Sequence, residues 1–136
     1  MNELNIEKAD AEFDKLLRAC EEQSSKMRHE NRKEEYFVLK LMCMRMSEIR
    51  YKIRLAKGFL NIWYMVGNAE YESDFKRLAN YCFNDLTVEL NIDIIYAETF
   101  LNSLRFVDFF SCWLKLCKFY HSYYALKFAY ARNNEI

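Results

Sequence analysis

Residues 39–63 read LKLMCMRMSEIRYKIRLAKGFLNIW. Within this stretch Leu39, Met42, Met46, Ile49, Ile53, Ala56, Leu60 and Trp63 recur at intervals of 3, 4, 3, 4, 3, 4 and 3. An apolar side chain every three or four residues keeps one edge of a helix continuously apolar. The stretch therefore predicts one long helix whose apolar edge other helices must cover. We place it over residues 33–66, about 50 Å long if straight at 1.5 Å per residue. Gly58 lies inside it, where glycine costs about 1 kcal/mol relative to alanine. A close helix crossing or a slight kink accounts for it, with a hinge as the functional alternative.

Downstream, Gly67 suits the left-handed position that ends a helix, and Asn68 suits the cap of the next. Glu70, Glu72 and Asp74 then fall in a first turn, where the helix dipole favours acids. A third helix is expected over 69–90, with Tyr71, Phe75, Leu78, Cys82, Leu86 and Leu90 on its apolar face. Val88, Leu90, Ile92 and Ile94 alternate with polar residues, the one strand-like pattern in the chain. A lone strand has nothing to pair with, so residues 88–96 read as a joint around Asn91-Ile92-Asp93.

The last helix is expected over 98–132. Its polar positions Asp108, Ser111, Lys115, Lys118 and Ser122, spaced 3, 4, 3 and 4, form one narrow wet stripe. The remaining circumference is apolar, as in the middle of a bundle or in an interface. Upstream, a first helix over 7–28 has Phe13, Leu16, Leu17 and Cys20 on its apolar face, which thins to Ser24 and Met27. The polar run from Ser24 to Glu35 reads as a loop or exposed joint.

The composition agrees. The chain has 136 residues, no proline and two glycines, too few turn residues for a sandwich or barrel. The expected fold is all-α, one domain over 1–136: a mostly antiparallel bundle of about four helices, two of them long. Formal net charge is zero, but residues 36–66 carry six bases against Glu48, a net of +5. Residues 67–98 carry two bases against seven acids, a net of −5. An antiparallel pair with attracting flanks is the simple reading, and two patches for two partners the other. A neutral chain argues against direct nucleic-acid binding.

Little points to chemistry. The five cysteines are scattered and none forms C-x-x-C. With no secretory leader pattern, they read as reduced core filler in an intracellular protein. No apolar run reaches the roughly 20 residues that span a bilayer. Phe106–Cys117 comes nearest, but Asp108 and Lys115 interrupt it. His29 and His121 lie in different elements, so no metal site or cofactor is expected. Cys117 and His121 are neighbours at i, i+4, but a core or interface histidine is the favoured reading over a nucleophile pair. No phosphate loop, G-x-S-x-G or H-E-x-x-H occurs. We therefore expect no enzyme.

Two surfaces stand out as interface candidates. Arg50, Arg54 and Lys57 make a stripe beside the apolar edge, near Tyr51 and Tyr64. They read as snorkelling flanks that pair with the acidic third helix, or as an anion or nucleic-acid surface. Phe119, Tyr120, Tyr123, Tyr124 and Phe128 lie where the thin first helix covers little, so apolar area should remain exposed there for a partner or self-association.

The segment Met44-Arg45-Met46-Ser47-Glu48-Ile49-Arg50-Tyr51, continuing through Leu60 and Ile62, resembles the central helix of GINS subunits. Glu72, Phe75, Leu78 and Tyr81 loosely fit the helix that follows in that family. The resemblance covers about residues 10–92. It implies a non-enzymatic, nuclear subunit that packs long helices into a tetramer joined to the replicative helicase. The family adds a small β-rich part, whereas residues 97–132 here read as helix and lack its prolines. The expected function is a non-catalytic helical subunit or adaptor, GINS-like and nuclear in its most specific form, otherwise cytoplasmic. The alternative is a small regulator that holds a partner helix in an apolar groove.

Overall fold

The computed structural model describes residues 4–66 and 72–133. Helices α1 (Ile6–His29), α2 (Lys33–Val66), α3 (Glu72–Asn102) and α4 (Val107–Asn133) hold all but a few of these residues, with no strand among them. The helices run up, down, up and down. α1 and α3 each lie against both α2 and α4, and α2 and α4 also meet across the bundle.

Asn5 caps α1: its side chain accepts the Lys8 N–H at 2.9 Å. The buried face of α1 is Ala9, Phe13, Leu17, Cys20, Ser24 and Met27. It therefore stays in the core for its whole length, and the expected polar joint shrinks to residues 30–32. Asn31 turns the chain at φ 58°, and the Arg32 N–H reaches back to the Met27 carbonyl at 2.9 Å. Asparagine tolerates this left-handed conformation better than most residues.

In α2 the apolar row from Leu39 to Leu60 is buried throughout, and Trp63 partly so. The helix keeps its expected bounds. Gly58 does not mark a close crossing, because a Cβ built there meets nothing within 4 Å. Cys20 on α1 and Cys43 on α2 touch in the core: the Cys43 thiol donates to Cys20 Sγ at 3.1 Å, and Cys20 donates to the Leu39 carbonyl at 3.4 Å.

The boundary between the third and fourth helices differs from expectation. Gly67, Asn68, Glu70 and Tyr71 lie outside the described residues. There is neither a strand nor a joint at 88–96: α3 runs unbroken through Asn91, Ile92 and Asp93 to Asn102. Residues 98–102 belong to α3, and α4 starts at Val107. The reason is a buried row on α3 of Ala79, Phe83, Leu86, Leu90, Asp93 and Ala97. Its helical spacing never breaks, but the one carboxylate in it disrupts the apolar pattern.

The real turn hides its signal too. Leu104 occupies the left-handed position after α3 with φ 57°, and Phe106 follows with φ 49°. The Arg105 N–H closes onto the Phe100 carbonyl at 3.1 Å. Glycine usually fills this position.

The core is rich in rings. Phe13 packs edge-on against Trp113 at 5.3 Å and Tyr120 at 5.8 Å. Phe100 stacks on Phe110 at 4.6 Å near one end. Phe128 stacks on Phe83 at 4.4 Å near the other. The polar stripe of α4 from Asp108 to Ser122 is exposed, as its spacing implies.

Candidate functional site

α2 and α3 each carry a second apolar row on the side away from the core. On α2 it consists of Phe37, Leu41, Met44, Tyr51, Leu55 and Ile62, and on α3 of Leu78, Tyr81, Val88, Ile95 and Tyr96. These side chains are 39–72% exposed. The α2 row is spaced 4, 3, 7, 4 and 7, so it follows one edge of the helix. Leu78 was expected on the apolar face that α3 buries, but it is 58% exposed and belongs to the outer row, because the core row of α3 runs through Ala79 and Phe83 instead. The α2 row is visible in the spacing of residues 37–62 but is overshadowed there by the unbroken buried row.

Between the rows lies a cluster of charges. Asp93 is fully buried and takes two hydrogen bonds from Arg45, at 3.0 Å from Nε and 3.1 Å from Nη2. Glu89 Oε2 lies 2.8 Å from Arg45 Nη1 in a charge contact without hydrogen-bond alignment. Lys52 Nζ reaches Asp85 at 2.9 Å and Glu48 at 3.4 Å. Burial raises the pKa of Asp93 above the usual carboxylate value, and Arg45 opposes the shift. Burial also works against the charge on Arg45, but Asp93 and Glu89 outweigh it and hold its pKa above the ordinary value. Tyr96 closes this cluster on one side, with the Arg45 guanidinium 6.0 Å from its ring centre. Arg45 and Lys52 thus make the electrostatic pairing of α2 with α3.

Among the described residues the predicted stripe Arg50, Arg54 and Lys57 does not pair with α3; it faces α1. Together with Asp10, Phe13, Asp14, Ile53, Tyr120 and Tyr124 it lines a cleft of about 210 Å³. Arg50 pairs with Asp14 and lies 5.5 Å from the Phe13 ring centre. Tyr120 donates to Asp10 Oδ1 at 2.7 Å. Burial first, and this hydrogen bond second, push the Tyr120 phenol well above its usual pKa.

The structure therefore brings five of the eight predicted residues to one cleft, but not as an exposed aromatic surface. Tyr120 is 1% and Tyr124 2% exposed. They are core, because the α1 face around Phe13 covers them. Phe119 and Tyr123 are partly buried and stack on each other at 5.7 Å. Phe128 is wedged between Trp63, at 5.8 Å, and Phe83.

Cys117 is fully buried, and burial holds its thiol protonated far above the usual range. That opposes a nucleophilic thiolate beside His121. Among the described residues, no group of three histidine, cysteine or acidic side chains is placed to hold a metal ion. Likewise no helix among them is long and apolar enough to cross a membrane. No known family model, curated protein or solved structure matches the chain.

Proposed function

We propose that the chain is a non-catalytic helical subunit that works by packing the helices of a partner chain onto its outer α2–α3 face. The observation that carries this reading is the pair of exposed apolar rows. Eleven large apolar side chains at 39–72% exposure leave on the order of 1,000 Å² of apolar surface in water. Divided between two rows with charges between them, this is roughly 500 Å² a row, so each row alone matches the largest apolar patch of a typical monomer, about 300–600 Å². Heptad-like spacing on both helices suits a helical occupant, whose side chains fit between rows.

The GINS-like form of the proposal makes the partner a set of related helical subunits. Two residues of the resembling segment, Met44 and Tyr51, stand in the exposed row, whereas Met46 and Ile49 are core.

The test is affinity capture from the native cell with the wild-type chain and a Leu55→Glu/Val88→Glu variant. The reading expects a stoichiometric protein with the wild type and none with the variant, at equal helix content. Equal recovery by both chains refutes it.

A further inference from the structure

We propose that the chain covering the α2–α3 face is a second copy, related to the first by a twofold axis parallel to the helices. This rests on the reading of that face as the working surface, and it adds the partner and the geometry.

The area fits. Stable interfaces remove about 800 Å² per partner, and the two exposed rows offer on the order of 1,000 Å². A single docked helix lies along one groove and leaves much of the two rows uncovered. A second α2–α3 face has the matching width.

The charges choose the axis. Arg45 and Lys52 are already paired with α3, and Arg50, Arg54 and Lys57 face α1, so the charges left to discriminate are Lys40 on α2 and Glu98 on α3. An axis across the helices lays α2 on α2 and keeps Lys40 from the partner's Glu98. An axis along the helices lays α2 antiparallel on the partner's α3, repeating the combination already made within the chain.

The axis also sets the register. Rotation about an axis parallel to the helices shifts nothing along it, so every residue keeps its height. Within the chain, Arg45 is level with Asp93 and Lys52 with Asp85. Continuing those pairings outward brings Leu55 level with the partner's Tyr81 and Lys40 level with the partner's Glu98. Lys40 and Glu98 are both exposed, and neither has an ion pair among the described residues. Glu48 lies in the trough between the rows, about half-exposed, and approaches its own copy across the axis.

Analytical ultracentrifugation of the wild type from 1 to 100 µM is expected to give twice the 16.6 kDa of one chain. Leu55→Glu/Val88→Glu should raise the dissociation constant at least a hundredfold and keep the helical circular dichroism. Glu48→Gln should tighten the dimer, and a looser one argues against this axis. An oxidised mixture of Leu55→Cys and Tyr81→Cys chains should give the mixed disulfide dimer by mass spectrometry, with little Leu55→Cys homodimer. Its absence, in a protein that does dimerise, overturns the axis. A wild type that stays monomeric at 100 µM overturns the second copy. In that case, capture of a cellular protein that the Leu55→Glu/Val88→Glu variant abolishes leaves the α2–α3 face standing. Capture insensitive to that variant removes both.

Discussion

Replacing Arg45 with methionine is the sharpest test of the α2–α3 contact. Arg45→Met keeps most of the aliphatic stem and removes the only cation among the described residues that contacts Asp93, whose side chain is fully buried. Breaking a buried ion pair by removing one partner costs about 3–5 kcal/mol. The Arg45 side chain is 18% exposed, so some solvent reaches the pair and the lower end applies, about 3 kcal/mol. For a chain of this size that is roughly 10 °C in Tm. The loss depends on pH. The folded pKa of Asp93 already lies above its ordinary value through burial, and losing Arg45 raises it further. A raised carboxyl pKa gives stability that is full below the unfolded value, about 3.9, and lost as pH rises through the folded value. The variant should therefore sit closer to wild type at pH 5 than at pH 7. Urea unfolding followed by circular dichroism at both pH values measures this. Arg45→Met/Asp93→Leu removes both charges and should recover about 2 kcal/mol or more. A single-variant loss under about 1 kcal/mol at pH 7, or a double variant no better than the single, refutes the picture of a desolvated pair.

Ile49→Asp puts a carboxylate into a fully buried position and should cost several kcal/mol, enough to abolish cooperative melting; an unchanged melt sinks the assignment of this row to the core. Tyr120→Ser/Tyr124→Ser should unfold the monomer, with a loss of about 3–5 kcal/mol per ring; normal stability with impaired self-association would restore these tyrosines as surface. Gly58→Ala adds a methyl where nothing lies within 4 Å and should raise stability by about 1 kcal/mol in a urea titration. Leu104→Gly relieves a left-handed leucine that is 80% exposed and should stabilise by about 1 kcal/mol; a loss there means that the leucine contributes packing.

How far the fold could be read from residues depended on whether the apolar spacing was interrupted. The row from Leu39 to Trp63 has no polar member, and α2 was bounded to the residue. The row on α3 contains Asp93, and one carboxylate was enough to turn a continuous helix into an apparent joint. The next turn carries leucine where glycine is usual, so no compensating signal marked the true boundary. The tyrosines of α4 were misplaced for a related reason. Ser24 and Met27 looked like the end of the α1 face, but both are buried, and α1 covers more of α4 than its composition suggests. The exposed rows were legible in principle. On α2 their intervals of three, four and seven follow one edge, with gaps that the core row lacks, and spacing alone does not say which of two apolar edges a bundle leaves outside.

The Arg45–Asp93 pair has a consequence for how the chain finds its native alignment. Two helices with apolar residues every third and fourth position can slide past each other by seven residues and still lay grease on grease. Burial energy alone discriminates poorly between such alignments. Here a slip one way sets Asp93 beside Val38 and leaves the buried carboxylate without a cation, whereas a slip the other way sets Arg45 beside Phe100 but brings Lys52 to Asp93. The first costs about as much as breaking the pair, roughly 3–5 kcal/mol. That is a large share of the 5–15 kcal/mol that keeps a typical domain folded. The residue that obscures α3 in the sequence thus acts as a one-way stop, which blocks the sliding of α2 past α3 in the direction that would leave Asp93 against Val38.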